Sequence, residues 1–469
     1  MVKSVTNVNF SRHIQKSISL NKTQSYIMRT KIVTILAFVL FINANAQDKK
    51  WTLQECVNYA LEHNITIKES KLNVEISQEN VISSKGNFLP NLNASTNGSL
   101  NFGSGFDPVS QDRVSTSTFG GSFGINSGIT VFNGYRNLNT YKQAQIGVEG
   151  SKLDLEKIQD DISLFVLNTY LNVLFAKENL SVAKIQYEIS NKQIENAKAK
   201  FEAGAKPKGD LLNAQSTAAA DEQSVISYEN ILNIALLDLA QLLQVEPAGF
   251  DVEVMEVESP LMILLYKNPN EVYQKALTNR PEIKKAELDI ESADLSVEIA
   301  KASYLPSVSL GANVGTGYGY NLKNNNHIPF FSQLDDNLGY GVSFNVSIPI
   351  FNRNQTKSNV NRQLINYEIS KFGLESQKLQ LQQTIQKAFY DAKASAKTYE
   401  AAQKSLIAQK EAFKNAQESY NFGVMTQFDF DQVRNRLVNA EGAIIRAKYD
   451  FVFKTKVLKF YFGESVLLN

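Results

Sequence analysis

Side chains that commonly perform chemistry are few and scattered in this sequence. Cys56 is the one cysteine, so no disulfide can form within the chain. The three histidines, His13, His63 and His327, have no spacing to one another or to Cys56 that suggests a metal site. The sequence also lacks a phosphate-binding loop and a nucleophile elbow. We therefore expect a protein that is not an enzyme and has no metal and no cofactor.

Two aspartates stand in a motif that occurs twice. An aromatic residue lies three positions before Gly204 and before Gly423, and an aspartate, Asp210 or Asp429, lies six positions after each glycine. Glycine readily adopts the positive φ of a tight turn after a helix, and aspartate is a favoured cap at the start of the next helix. The motif predicts two helix–turn–helix junctions, in which each aspartate either caps the returning helix or has a functional role.

The two motifs belong to an internal repeat. Residues 60–68 match residues 276–284 at a shift of 216 positions, and from Phe132 and Phe351 onward the shift is 219 positions. One difference in loop length explains the change. Each half predicts the order helix, strand, strand, long helix, turn, helix. The halves are assigned to residues 47–245 and 271–469, with a proline-containing linker at 246–270.

Four segments alternate apolar residues with small polar ones, which predicts β-strands. A soluble β-sandwich would show the same alternation. Here, however, the polar faces are nearly uncharged and the aromatic residues gather toward the strand ends, as in membrane-interface girdles. The segments are residues 92–102, 119–131, 308–320 and 338–350, and their lengths suit tilted strands that cross a bilayer.

Four strands are too few to close a membrane barrel within one chain. An open sheet edge in hydrocarbon leaves backbone groups without hydrogen bonds, and membrane barrels begin at about eight strands. The strand count therefore predicts that several subunits share one barrel, and three subunits would supply twelve strands. The connections at 103–118 and 321–337 are expected to be outward-facing loops.

The remaining sequence is typical of long coiled-coil helices. Between Asn133 and Gly204 only glycines near the start interrupt the pattern, which predicts a helix of up to about 65 residues and roughly 100 Å. Val166, Val173 and Leu180 lie on its seven-residue repeat, and adding 219 reproduces the register in the second half. The heptads alone would favour a soluble periplasmic coiled-coil protein with a structural or adaptor role, which we keep as the alternative, but heptads joined to membrane-type strands do not.

The N-terminal residues 1–46 resemble a secretion signal after an upstream extension. Met28 is the expected start, basic residues precede an apolar run at 32–42, and cleavage is expected after Ala46. No later apolar run is long enough to predict a transmembrane helix. With 48 basic and 47 acidic residues, the chain has none of the excess positive charge expected of a nucleic-acid-binding protein.

Together these features resemble the TolC-like outer-membrane efflux protein family over about residues 47–465. Each motif is weak alone, but the set occurs twice in the same order. Its members are a helix opening, Leu-Pro before a strand, an aromatic-Asn pair after one, and the two tip motifs. Their residues are Trp51, Cys56, Ala60, Leu61, Leu89, Pro90, Phe132, Asn133, Phe201, Gly204, Asp210, Leu305, Pro306, Phe351, Asn352, Tyr420, Gly423 and Asp429.

The resemblance implies a mainly α protein with membrane β-strands. The duplicated unit of long coiled-coil helices and four β-strands would form a trimeric 12-stranded β-barrel and a 12-helix α-barrel. Such a homotrimer would span the outer membrane, contact its lipid and extend through the periplasm. It would be the passive exit duct of a tripartite efflux or type I secretion system, with a periplasmic adaptor and an inner-membrane pump as partners. The cargo stays open.

The resemblance also implies a gate at the periplasmic tips. By motif position, Asp210 and Tyr420 match members of a hydrogen-bond network that closes the tips, and Asp429 matches an acidic ring in the pore. Two positions depart from the family pattern: Met425 replaces a basic residue of the network, and Gln432 replaces the second ring carboxylate. Asp431 lies beside Gln432, and Gly204 and Gly423 mark the tips expected to contact the adaptor.

Overall fold

The computed structural model describes residues 50–106, 111, 113–254, 266, 268–322 and 328–464. The predicted signal sequence at 1–46 lies outside these residues. In the described part, helices dominate and the two halves share one plan. The helices are α1 Leu53–His63, α2 Ile65–Gly86, α3 Arg136–Glu202, α4 Lys208–Leu243, α5 Pro269–Asn279, α6 Pro281–Lys301, α7 Phe330–Asp336, α8 Gln355–Asn421 and α9 Gln427–Phe462.

The duplication is visible in the helix lengths. α3 and α8 each have 67 residues, and α4 and α9 each have 36. Both pairs are offset by 219 positions, from Arg136 to Gln355 and from Lys208 to Gln427. The short helices α1 and α5, of 11 residues each, are offset by 216. The lengths and offsets of these helices follow the pattern that the repeat predicts.

Each pair of long helices forms an antiparallel hairpin. Hairpin one is α3 packed on α4, and hairpin two is α8 packed on α9. The predicted heptad seam of α3 is buried at Val166, Val173 and Leu180, but Phe201 at its end is 38% exposed. None of the described helices has the length and apolar character that crossing a bilayer requires.

The two hairpins of one chain also pack against each other. α3 contacts α9 through a core that includes Tyr170 and Leu174 on one side and Ile445 and Val452 on the other. The helix α1 covers this core, and its start is fixed by a capping box in which Thr52 bonds the third helical residue. α5 and α6 cover an equivalent core on hairpin two.

The first residues of the linker between the halves pack against hairpin one. Strand β1 (Lys50–Trp51) pairs in parallel with strand β4 (Asp251–Val252). The Tyr170 hydroxyl donates to the Glu253 carbonyl at 2.8 Å, and Lys177 donates to the Val252 carbonyl at 2.7 Å. Proline breakers were expected throughout this linker, but Pro269 instead begins α5, because the first helical position needs no backbone N–H.

The remaining four strands form one antiparallel sheet in which they lie side by side in chain order. Its register places all four predicted apolar faces on the same side. One row across the sheet joins Ala94, Ile125, Val314 and Tyr340. The strands are β2 Asn91–Phe106, β3 Arg113–Phe132, β5 Ser307–Asn321 and β6 Gly339–Ser347.

Both pairs of strands differ from prediction: β2 and β3 continue into the segment 103–118 that was expected to be a loop, and in the second pair β6 is shorter than predicted. β6 has nine residues and ends at Ser347, although alternation predicted a strand over 338–350. The preceding segment, expected to be loop, contains α7. This helix lies beside β5 where β6 no longer pairs with it: Asn337 donates to the Gly317 carbonyl at 2.7 Å, and Gln333 accepts from the Gly319 amide at 2.8 Å. Side chains thus satisfy part of a strand edge that would otherwise be open.

Candidate gate at the tips of the helical hairpins

Both hairpins turn through the same backbone geometry. Gly204 has φ +70° and Gly423 has φ +75°, so the predicted need for positive φ is confirmed at both turns. The Ala205 amide donates to the Lys200 carbonyl at 2.9 Å, and the Val424 amide donates to the Ser419 carbonyl at 2.9 Å. These bonds satisfy carbonyls at the ends of α3 and α8. We call residues 203–207 the first tip and residues 422–426 the second tip.

Neither aspartate of the repeated motif is the cap itself. The caps are Pro207, which has no side-chain hydrogen bond, and Thr426, whose hydroxyl accepts from the Asp429 amide at 3.2 Å. Asp210 and Asp429 instead lie in the first turn of their helices. Their negative charge is favourable there because helix N-termini carry partial positive charge.

Tyr420 joins the two tips. Its ring stacks on Phe430 of hairpin two, with centroids 5.0 Å apart, and Phe430 is buried. From hairpin one, the Lys200 and Lys206 ammonium nitrogens lie 5.3 and 5.8 Å from the same ring centroid. Lys206 is also 4.0 Å from the Asp210 carboxylate. Cation–π contacts from one hairpin therefore reach an aromatic residue of the other.

Carboxylates of both hairpins affect the pKa of the Tyr420 hydroxyl. Burial raises the pKa of Tyr420, and the negative charges of Asp210 and Asp431 raise it further. The described residues include no hydrogen bond between Tyr420 and Asp210, so the two are electrostatic neighbours rather than bonded partners. The structure thus brings three of the four residues expected in the gate or pore into one cluster.

Asp431 and Asp429 have different surroundings although only one residue separates them. Asp429 is exposed and accepts from the Thr426 hydroxyl at 2.7 Å. Asp431 is half-buried and accepts two hydrogen bonds from Gln427, at 3.0 and 3.1 Å. Burial raises the pKa of the Asp431 carboxyl, and the hydrogen bonds from Gln427 and the charge of Arg434 oppose that increase. Asp431 therefore faces the packed region between the hairpins.

Three basic residues of this region were not among the predicted site residues. Lys200 and Lys206 flank the first tip, and their only sequence signal is their closeness to Gly204. Arg434 lies within α9, buried against hairpin one. The sequence of α9 alone does not indicate that Arg434 forms an ion pair, because its carboxylate partner, Asp221, is 213 residues away in sequence.

Comparison with known proteins gives a consistent result. The model of the family described as "Outer membrane efflux protein" matches residues 56–244 and 272–463, and these two ranges correspond to the two repeats. The outer membrane efflux protein BepC of Brucella suis is 21% identical over 417 residues, covering 87% of this chain and 84% of BepC. The outer membrane protein TolC of Escherichia coli is 23% identical over 369 residues, covering 72% of this chain and 74% of TolC.

A solved structure shows the same fold. The crystal structure of the outer membrane protein VceC from Vibrio cholerae superposes with a TM-score of 0.71 at 16% identity, covering 88% of this chain and 97% of VceC. At that identity the similarity concerns the fold alone. The family model, in contrast, matches most of the sequence, and both of its ranges end at the long hairpins described above. The chain belongs to the outer membrane efflux protein family, whose members are channels of the outer membrane.

Proposed function

We propose that three copies of this chain form one continuous duct through the outer membrane and the periplasm. The observation that supports this most directly is the four-stranded sheet. Its apolar face is exposed, with Leu92 75%, Tyr340 86% and Val342 85% accessible to solvent. Within the described residues, β2 and β6 each pair with a neighbour on one side only. An exposed apolar face suits lipid, and two unpaired edges suit neighbouring copies.

The order of the strands allows closure by three copies. The sheet is antiparallel throughout, so β6 of one copy and β2 of the next would also run in opposite directions. Three copies would give twelve strands, and their six hairpins would give twelve long helices. At 1.5 Å per residue, a 67-residue helix extends about 100 Å from the membrane.

The tips would form the gate and the docking end of this duct. By the family resemblance, Asp210 and Tyr420 would belong to the network that closes the tips, and Asp431 adds charge to the same cluster. Asp429, exposed on α9, would stand in a ring of three carboxylates near the axis, where like charges repel and cations are attracted. The first and second tips, with Gly204 and Gly423, would contact a periplasmic adaptor, which links the duct to an inner-membrane pump in an efflux or type I secretion system.

The test is electrical recording on protein purified from outer membranes. Mass in detergent should correspond to three chains, and the protein should form channels in a planar bilayer. Asp210→Ala and Tyr420→Phe should each raise single-channel conductance, because each removes a polar group that the family resemblance assigns to the network closing the tips. Tyr390→Phe is a matched control on α8, since Tyr390 is exposed and distant in sequence from the tip. Equal conductance in all three variants would contradict the gate assignment.

The acidic ring has a separate test in the same recordings. Asp429→Asn should weaken block by divalent or trivalent cations, because it removes one negative charge per chain from the pore. Equal block in variant and parent would remove Asp429 from the ring. A monomeric mass and soluble fractionation would instead favour the alternative, a periplasmic coiled-coil protein with a structural or adaptor role.

A further inference from the structure

The short helix α7 has one side without a partner, at the end of the sheet farthest from the long helices. Its inner side is fixed to β5: Phe330 packs on the Tyr318 ring with centroids 4.9 Å apart, and Gln333 is buried. Its outward side carries Phe331, which is 79% exposed, and Asp335 one turn later. A single exposed aromatic residue is ordinary; this one is informative because of the strand that a closed barrel would place opposite it.

The free edge of β2 is longer than the strand that could pair with it. The register across the sheet joins Ser95, Gly124, Gly315 and Gly339 in one row. β6 begins at Gly339 and runs from there toward the helices, whereas β2 continues past this row, away from the helices, as far as Phe106. Aligned level with β6 of another copy, β2 would have no strand beside its outer half.

Closure of a barrel shifts this alignment by an amount that geometry fixes. Barrel strands tilt by about 35–45°, so a row perpendicular to the strands is displaced along them as it passes around the barrel. Across four strands spaced about 4.8 Å apart, the displacement is roughly 13–19 Å, or about 4–6 residues. Gly339 of one copy would therefore lie beside a residue about 4–6 positions before or after Ser95 of the next copy.

The chain itself selects the direction of this displacement. A shift toward lower numbers would place most of β6 beside residues that precede Asn91, where β2 has not begun and the chain is largely the helix α2. A shift toward higher numbers places Gly339 beside about residue 100 and Ser347 close to Leu92, so that all nine residues of β6 meet β2. Only the second arrangement pairs the two edges.

The last residues of β2, 102–106, then lie beyond the outermost residue of β6 and opposite α7. We call them the outer end of β2. Their aromatic side chains match that of α7, because Phe102 is 71% exposed and Phe106 is 66% exposed. Charge is complementary as well. Arg113, which is paired with Phe106 in the sheet, and Asp335 of α7 are both exposed, and neither has an ion pair within the described residues.

We propose that the outward side of α7 binds the outer end of β2 of a second copy of this chain and so closes the junction between subunits beyond β6. Phe331 packs on Phe102 and Phe106 of the neighbouring copy, and Asp335 faces its Arg113. Each α7 covers two strands, β5 of its own chain and β2 of the next, where a longer β6 would otherwise be needed. This contact rests on the proposed barrel of three copies.

Disulfide cross-linking tests the contact directly. Cys56 is the one native cysteine and is buried, so thiols introduced at exposed positions are the accessible ones. Phe331→Cys combined with Phe102→Cys, and separately with Phe106→Cys, should give covalent trimers on non-reducing denaturing gels after mild oxidation. Within one chain β3 and β5 separate these positions by roughly 14 Å or more, beyond the reach of a disulfide, so a band at three chains reports contact between copies.

Leu92 supplies the matched control for cross-linking. It is exposed on the same face of β2 as Phe102, ten residues earlier and therefore roughly 33 Å closer to the helices. Phe331→Cys combined with Leu92→Cys should give monomers only, as should each single-cysteine variant.

A second variant tests the contact without introduced thiols. Phe331→Ser should increase the rate at which heated trimers release monomers in detergent by about tenfold or more, because a packed phenylalanine is lost from each junction. Ile125→Ser is the control, since Ile125 is exposed on the same face of the sheet but lies on β3, which has a neighbouring strand on both sides. Equal rates in the two variants and the parent would reject the proposal.

The outcomes separate this contact from the barrel itself. If the parent has the mass of three chains and Phe331→Cys cross-links to neither position of β2, the role of α7 is overturned and Phe331 faces lipid instead. Equal cross-linking to Phe102→Cys and Leu92→Cys would also overturn it, because such contacts would be nonspecific. A parent that is monomeric in detergent would overturn the proposed function.

Discussion

The first and second tips have the same backbone and different side chains. The flanking helices have equal lengths, and the two turn glycines differ by only 5° in φ. The side chains around the first tip are cationic, with Lys200 and Lys206, whereas those around the second are aromatic and acidic, with Tyr420 and Asp431. The two turns therefore share one backbone shape, while their side chains differ in charge and contact one another.

The largest and most nearly equal losses of stability are expected from substitution of the two turn glycines, because both turns have the same backbone geometry. Gly204→Ala and Gly423→Ala should each lower the free energy of unfolding by about 1–2 kcal/mol, because both residues have positive φ. A new Cβ would meet no atom within 4 Å at either position, so the cost is conformational and not steric. Chemical denaturation followed by helical circular dichroism measures the change.

A third glycine provides the control for this pair. Gly373 lies in the interior of α8 with open space around it and helical backbone. Gly373→Ala should therefore stabilise the protein by about 0.5–1 kcal/mol. Clearly unequal losses at Gly204 and Gly423 would show that the tips differ in backbone strain as well as in side chains.

The helix caps predict a smaller and one-sided effect. Thr426→Ala should cost about 1 kcal/mol, because the hydroxyl that accepts from the Asp429 amide is lost. Pro207 is the equivalent position in hairpin one. Pro207→Ala removes no side-chain cap, because Pro207 makes none. Equal losses in the two variants, measured by the same denaturation, would contradict a capping role specific to Thr426.

Substitution of Asp431 is expected to change the free energy of unfolding least, and this change depends on pH. Burial raises the pKa of Asp431 above its ordinary value of 3.8, so the native state binds a proton that the unfolded chain has already released. Its contribution to the free energy of unfolding therefore falls as pH rises through that interval and remains lower above it. Asp431→Asn removes this dependence, and its stability relative to the parent should increase from acidic to neutral pH by less than about 1 kcal/mol.

Substitution of Gln427 gives a second test of how Asp431 affects the pH dependence of stability. Its two hydrogen bonds favour the charged form of Asp431, so Gln427→Ala should raise the pKa of Asp431 further and enlarge the pH dependence of stability. A pH dependence that is identical in Gln427→Ala, Asp431→Asn and the parent would show that Asp431 does not titrate in the interval considered.

Periodicity predicted the elements whose stability comes from repeated packing. The seven-residue seam of α3 and the alternating strands follow directly from which residues must be buried or share a face. The turns at Gly204 and Gly423 were predictable because positive φ strongly favours one residue type. These features depend on local sequence, which a single chain displays fully.

The features that prediction missed depend on distant partners. α7 is only seven residues long, and its contact with the sheet comes from Gln333 and Asn337 bonding an edge of β5. The burial of Arg434 depends on Asp221, which lies in the other repeat. Exact strand ends, as at Ser347, depend on how far the neighbouring strand continues to pair.

Equal helix lengths in the two hairpins also limit how this protein can be engineered. The helices of both hairpins have 67 and 36 residues, so equal lengths of helix precede and follow each tip. A longer duct, suited to a wider periplasm, would need seven-residue insertions in both arms of both hairpins, each adding about 10 Å while preserving the heptad register. An insertion in one hairpin alone would leave a stepped rim on which a symmetric partner could seat only half of its contacts.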